Sequence, residues 1–361
     1  MYGSLGAPLH YAGIVSMIVA AGTVVSSILS ERIIRRLGTG LVTAVSVLMT
    51  AAALTGFSLS RNFTALCFCA VPLGLGAGSV DAALNSYVAL HYKARHMNWL
   101  HCFWGVGASI GPLIMSAYLT NNQPWNLGYR TVGVIQFCLA ALLFVSLSLW
   151  GKNTTLKEIQ KQERTITYRE LFGLSGVKQV LAAFFCYCSI EQITGLWGSS
   201  YLVIVKNISP QLAAQWIALY YGGITAGRFV SGFLTLRLNN RQMIRLGQGF
   251  VACGIAFLLL PFGVIPLLSG FFIIGLGCAP IYPALLHETP ENFGSEYSRI
   301  LMGIQMATAY IGITVMPPLF GWIASHLNFN IFPVFLGVLL LLKIIMVETV
   351  NRKVDAVKHG S

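Results

Sequence analysis

The chain has 361 residues, of which 56% are hydrophobic and only 9% are charged. Soluble domains usually contain about 25% charged residues, so this composition excludes an ordinary soluble protein. The net charge of +12 is not a nucleic-acid footprint, because the basic residues are concentrated in alternate loops between apolar runs. All eight cysteines fall inside apolar runs without metal-ligand spacing, so neither a disulfide framework nor a metal site is expected.

Apolar runs separated by polar or proline-containing breaks follow one another along the chain. The longest stretches without Lys, Arg, Asp or Glu are 246–287 and 300–342, and each is long enough for two membrane helices of about 20 residues. Such helices have no charged face to meet water, so the fold class is an all-α membrane protein. The breaks predict eleven spans, at 10–31, 39–60, 64–90, 97–120, 129–150, 179–205, 210–236, 242–262, 264–287, 298–325 and 330–350.

The loop charges predict an orientation. Most of the 23 basic residues lie in one set of alternate loops, which the positive-inside rule places in the cytoplasm. The N-terminus is then outside and the C-terminus is cytoplasmic. Because no signal sequence precedes the first span, we expect that a helix before Met1 is missing.

Two sequence matches indicate an internal repeat. Ala21–Arg32 aligns with Ala226–Arg237, and Gly74–Leu84 aligns with Gly275–Leu285, in the same order. Two parallel repeats joined by a polar loop are typical of one class of transporter. The predicted division is a five-helix half-bundle, a cytoplasmic linker, a six-helix half-bundle and a cytoplasmic tail, at 1–150, 151–178, 179–350 and 351–361.

The segment Ser27–Gly38 resembles the signature Gly-x-x-x-Asp-Arg-x-Gly-Arg of the major facilitator superfamily, which lies between the second and third helices of that family. It departs from the pattern by Ser27 for Gly, by Glu31 for Asp and by two extra residues. The resemblance implies a helical bundle of two pseudo-repeated halves, with 5 + 6 helices in this chain.

Two further segments resemble the fucose/glucose permease branch of that superfamily, whose members are sugar–proton symporters. Gly76-x-Gly78-x-x-Asp81-x-x-x-Asn85 matches an acidic residue four before an Asn, and His96–Gly107 matches the start of the fifth helix. The residues three and six positions after Asn98 face the sugar in that branch, and here they are His101 and Trp104. Both differ from the amides of the fucose-specific pattern.

Acidic residues near the centres of apolar spans are the strongest functional candidates. A charge there costs at least a few kcal/mol unless it is paired, hydrated or protonated, and a desolvated carboxylate binds and releases protons near neutral pH. We predict proton-coupling roles for Asp81, Glu191 and His101, against the alternative of structural hydrogen bonds or packing. Amide and aromatic side chains recognise sugar hydroxyls and ring faces, which predicts substrate binding by Asn85, Trp104, Gln192, Trp197, Tyr201 and Gln305.

A second group of charged residues lies near the predicted cytoplasmic face. We predict gating or structural roles for this group: Glu31, Arg32, Arg35, Arg36 and Arg228. The alternative is simple topology charge for the first four and substrate binding for Arg228.

The leading function is a secondary active transporter that moves a small polar solute, with a sugar favoured, by proton-coupled alternating access. The alternatives are a drug/proton antiporter and a truncated, non-transporting membrane protein. No enzyme motif and no P-loop are found, so we expect no enzyme activity and no cofactor, with the proton gradient as the energy source. The expected partners are a carbohydrate and membrane lipid, without nucleic acid, for a monomer in the plasma membrane.

Overall fold

The computed structural model describes residues 11–150, 167–260 and 263–359. Within these ranges all regular structure is helical, which confirms the all-α fold class. Eleven of the described helices have 20 or more residues: α1 (Tyr11–Leu37), α2 (Thr39–Leu59), α3 (Phe63–His91), α4 (Ala94–Thr120), α5 (Asn126–Val145), α8 (Val177–Ile204), α9 (Pro210–Leu234), α10 (Asn240–Leu259), α11 (Val264–His287), α13 (Ser295–His326) and α14 (Phe332–His359). The short elements are α6 (Leu147–Trp150), α7 (Tyr168–Gly173), α12 (Thr289–Phe293) and a 3₁₀ turn (Phe329–Ile331).

Ten helices in the described ranges are long and apolar enough to cross a membrane, so the protein is a multi-pass membrane protein. The eleventh long helix, α9, coincides with the predicted span 210–236 but is less apolar, since it carries Gln215 and Arg228.

Two helices extend well beyond the predicted C-terminal limits of their spans. Helix α1 continues to Leu37, so Arg32, Arg35 and Arg36 are helical although they follow the predicted span 10–31. It stops at Gly38, whose positive φ of 78° is one that glycine adopts at little cost because it has no Cβ. Helix α14 continues to His359, because residues 338–359 contain neither Gly nor Pro. The predicted tail is therefore helical as far as it is described.

The chain divides into two compact units. The first comprises residues 1–87, 107–165 and 302–307, and the second comprises 88–106, 166–301 and 308–361. Most of the predicted linker, residues 151–166, lies outside the described residues. The rest of it contains α7 and the first residues of α8.

In the first unit, α2 packs along α5. Ala51 of α2 is fully buried, and Gly133 of α5 lies so close that an added Cβ would be 2.8 Å from Thr55 Oγ1. Small residues at such contacts let helix backbones approach and gain dispersion energy where lipid removes the hydrophobic driving force. An edge-to-face contact between Phe57 and Tyr129, with centroids 5.6 Å apart, extends the same interface.

In the second unit, α10 and α11 meet through glycines. A Cβ on Gly247 would lie 2.5 Å from the Gly277 oxygen, and a Cβ on Gly277 would lie 2.7 Å from the Gly247 oxygen. Neither position has space for a side chain. Helix α11 also contains Pro280 and Pro283, each of which removes a backbone donor from the helix. Helix α11 is thus closely packed against α10 and lacks two helical hydrogen-bond donors in its C-terminal third.

Ion pairs join the N-terminal end of α10 to the C-terminal ends of α11 and α14. Arg241 binds Asp355 through two bonds of 2.8 and 2.9 Å and Glu288 at 3.2 Å, and Arg245 binds Glu348. The pKa of the buried Glu288 carboxyl is raised above its usual value because burial removes water, an effect that Arg241 opposes. These pairs tie three helices together at the end predicted to be cytoplasmic.

Candidate functional site

Asp81 and Asn85 form one candidate site, on α3 in the first unit. Their spacing of four residues places both side chains on one helix face. Asn85 Nδ2 donates to Asp81 Oδ1 at 2.8 Å and to the Asp81 backbone oxygen at 2.9 Å. Because Asn85 is only 1% exposed, its amide is fixed and orients the carboxylate. The acidic residue and the amide of the predicted motif are therefore joined by a direct hydrogen bond.

Glu191 is the centre of a second candidate site, near the middle of α8 in the second unit. Its side chain is 18% exposed. Tyr187, one turn earlier on the same face, donates its hydroxyl to Glu191 Oε2 and also lies 2.9 Å from the backbone oxygen of Cys278 on α11. Tyr220 of α9 donates to the Glu191 backbone oxygen at 2.9 Å. Helices α8, α9 and α11 thus meet around Glu191.

Arg228 provides the positive charge of this second site. Its Nη2 lies 3.7 Å from Glu191 Oε2, and its Nη1 donates to the His101 backbone oxygen at 3.4 Å. The side chain is only 4% exposed, so it is directed inward and does not reach toward the membrane surface. A buried arginine of this kind is stable only with a partner, and Glu191 is that partner.

Trp104 lies beside the same guanidinium. The Arg228 Cζ is 5.0 Å from the Trp104 ring centroid, a distance at which the cation is attracted to the ring face. Trp104 is 54% exposed, whereas His101, one turn earlier, is 8% exposed and packs its ring 5.0 Å from Tyr282. The site therefore combines a buried ion pair with an accessible aromatic ring.

The second unit brings Glu191, His101, Trp104 and Arg228 together, but it places the other predicted pocket residues of α8 differently. Trp197 donates its Nε1 to the Pro317 oxygen at 2.8 Å and packs against Phe320. Tyr201 is 2% exposed, donates to the Leu258 oxygen at 3.2 Å and stacks on Phe332.

Both aromatic residues therefore have their polar atoms bound to backbone oxygens, in positions typical of packing. Gln192 is half-buried. Gln305, in the first unit, is completely buried and interacts with a neighbouring group.

The predicted gating residues of α1 lie in the first unit. Glu31 and Arg35 form an ion pair of 3.8 Å one turn apart within the helix. Arg36 is exposed and Arg32 has a partner of its own. Their gating role stays a prediction.

Sequence reasoning missed Tyr187 and Tyr220. Tyr187 had a usable signal, since it precedes Glu191 by four residues and such pairs face each other on a helix. Tyr220 had none, because it is 29 residues away on another helix. Among the described residues there is no group of three His, Cys, Asp or Glu side chains arranged to hold a metal ion.

The chain is similar in sequence to known sugar transporters. The glucose/mannose transporter GlcP of Bacillus subtilis is 25% identical over 310 residues, which cover 82% of this chain and 74% of GlcP. A putative glucose/galactose transporter of Helicobacter pylori is 23% identical over 71% of this chain and 65% of its own length.

Solved structures show the same fold at low identity. The fucose:proton symporter FucP of E. coli has a TM-score of 0.70 at 13% identity and covers 94% of this chain and 91% of FucP. The proton:xylose symporter XylE has a TM-score of 0.73 at 14% identity, over 96% of this chain and 89% of XylE. Residues 1–300 match the Major Facilitator Superfamily. The chain is therefore a member of the Major Facilitator Superfamily.

Proposed function

We propose that this protein is a secondary active transporter that carries a sugar across the plasma membrane together with protons. The observation that carries the proposal is the Glu191–Arg228 ion pair, buried inside membrane helices beside the accessible ring of Trp104. Such intramembrane charges are costly, and they are usual where a polar solute or a proton is handled.

The chemistry around this pair suits a sugar. A pyranose presents an apolar ring face that packs on an indole, and hydroxyl groups that bond to carboxylates and guanidinium groups. Trp104 offers the aromatic face, and Glu191 and Arg228 offer an acceptor and donors beside it. The names of the relatives, which include a glucose/mannose transporter and two sugar:proton symporters, favour this solute over a drug.

Two carboxylates are candidates for carrying the coupled proton. Asp81 lies in an apolar helix with an amide as its immediate neighbour, and Glu191 lies in another with a guanidinium. An intramembrane carboxylate is costly unless it is paired, hydrated or protonated, so each of these two residues can load a proton. We take Asp81, the acidic residue of the motif on α3, as the first to test, with the proton gradient as the energy source and no cofactor.

The direct test is transport by the purified protein in liposomes. With an inward proton gradient, the wild type is expected to accumulate labelled D-glucose or D-mannose, and a protonophore is expected to abolish the accumulation. Asp81→Asn should lose gradient-driven accumulation but keep exchange of labelled for unlabelled sugar, because exchange requires no net proton movement. An Asp81→Asn protein with intact accumulation would remove Asp81 from the coupling mechanism.

Trp104 has a matched control on its own helix. Trp104→Ala is expected to raise the sugar concentration for half-maximal exchange, whereas Phe103→Ala should leave it unchanged, since Phe103 is 74% exposed. Equal effects of the two substitutions would contradict the binding site. If the wild type moves no sugar but expels lipophilic cations, the protein is a drug/proton antiporter. If it moves neither, it is a non-transporting member of the family.

A further inference from the structure

Tyr187 occupies a position that the proposed transport mechanism does not yet use. Its hydroxyl lies between two acceptors, the Glu191 carboxylate on its own helix and the Cys278 backbone oxygen on α11. The residue is 1% exposed, so water does not provide an alternative partner. A tyrosine hydroxyl has one proton to donate. Both bonds therefore cannot have Tyr187 as their donor at the same time.

The protonation of Glu191 decides which bond forms. When Glu191 is ionised it can only accept, and the Tyr187 hydroxyl donates to it. When Glu191 has gained a proton, its own O–H donates to the Tyr187 oxygen, and the Tyr187 hydroxyl is released to donate to the Cys278 oxygen. Tyr187 keeps its proton in both states, and the proton that is added stays on Glu191.

The Cys278 oxygen lies beside the two prolines of α11. Pro280 and Pro283 follow it in the helix and leave the carbonyl groups of Leu276 and Ala279 without their helical donors. Breaks of this kind are tolerated in membrane helices when neighbours supply new bonds. A hydrogen bond from Tyr187 to Cys278 fastens α11 to α8 beside the break, and it is available only when Glu191 is protonated.

Other groups around Glu191 affect which of the two hydrogen bonds Tyr187 donates. Arg228 lies 3.7 Å from the Glu191 carboxylate, and their attraction requires the carboxylate to be ionised. Tyr220 binds the backbone of Glu191 and is not displaced by the change. The titratable and charged groups that face this centre from neighbouring helices are His101 of α4, Tyr220, Tyr221 and Arg228 of α9, Cys278 of α11 and Lys343 of α14.

We propose that Tyr187 is a positioning residue that couples protonation of Glu191 to the proline-interrupted helix α11. The inference deepens the proposed function and rests on its proton coupling. The Tyr187 hydroxyl donates to the Glu191 carboxylate when Glu191 is ionised, and to the Cys278 backbone oxygen when Glu191 is protonated. The Glu191–Arg228 attraction is lost and the α8–α11 bond is gained in the same event.

The first test does not depend on transport. Infrared difference spectra of the purified wild type, recorded between alkaline and acidic pH, are expected to contain a tyrosine C–O band that changes with pH. The same band should be silent in Glu191→Gln and absent in Tyr187→Phe, whereas Tyr118→Phe is a control, because Tyr118 bonds to Thr131 in the first unit. A wild-type band that does not respond to pH, or one that responds equally in Glu191→Gln, would overturn the proposal.

The second test measures the pH profile of sugar exchange in liposomes. The exchange rate of the wild type is expected to change with pH. Tyr187→Phe, Glu191→Gln and the double variant should all flatten this pH profile, and to the same extent. A uniform loss of rate with an unchanged profile would mean that Tyr187 is merely structural. If no sugar is moved but the infrared band behaves as expected, the proposed substrate fails and the switch stands.

Discussion

Removal of Arg228 is the substitution whose consequence the structure predicts most directly. Arg228→Met keeps the length and apolar stem of the side chain but leaves the Glu191 carboxylate without its cation. At 3.7 Å and an effective dielectric constant of about 20, the attraction between unit charges is about 4 kcal/mol. Loss of one partner of a buried pair typically costs about 3–5 kcal/mol. Glu191 keeps 18% of its side-chain surface exposed, so water screens part of its charge. We therefore expect Arg228→Met to lower the free energy of unfolding by about 3 kcal/mol, the lower end of this range.

The assay follows thermal unfolding of the detergent-purified protein with a thiol-reactive dye. Cys186, Cys188 and Cys278 are buried and form no disulfide, so their thiols react when the helices separate. Arg228→Met should unfold at a clearly lower temperature than the wild type. Arg228→Met combined with Glu191→Gln should recover most of the loss, because no uncompensated charge remains. Equal stability of the single and double variants would refute the reasoning.

Three further substitutions are tested in the same assay. Gly247→Ala should destabilise the protein, because the new Cβ would lie 2.5 Å from the Gly277 backbone oxygen. Gly249→Ala is the control, since Gly249 has open space around it, and it should be neutral or slightly stabilising. Equal effects of the two substitutions would contradict the close contact. Lys343→Met should stabilise the protein by about 1–3 kcal/mol, since the Lys343 amine is fully buried and has no hydrogen-bond partner among the described residues. A loss of stability would show that the amine is needed. The raised pKa of Glu288 means that the folded protein holds a proton over a pH range just above 4.5 where the unfolded chain has released it. Stability should therefore fall as pH rises through that range, and Glu288→Gln should flatten this fall; an identical pH dependence in the variant would contradict the assignment.

Some features of the site were predictable because their partners are local in sequence. Asp81 and Asn85 are one turn apart, so the bond between them follows from helix geometry once the span is recognised. The inward position of Arg228 was not predictable. Its place two turns from the end of α9 was equally compatible with a side chain that reaches the membrane surface, and only packing against Glu191 and His101 decided between them.

The sequence by itself determined the number, approximate limits and class of the long helices, because a bilayer selects about 20 consecutive apolar residues whatever their neighbours are. It also contained the family motifs. The tertiary structure alone decided which side chains meet, such as Tyr187 with the Cys278 oxygen 91 residues later. The physical reason is that helices such as α8 are apolar on nearly every face, so hydropathy does not reveal which face turns inward. Rotation and packing of the helices determine that, and with it the partner of each buried charge.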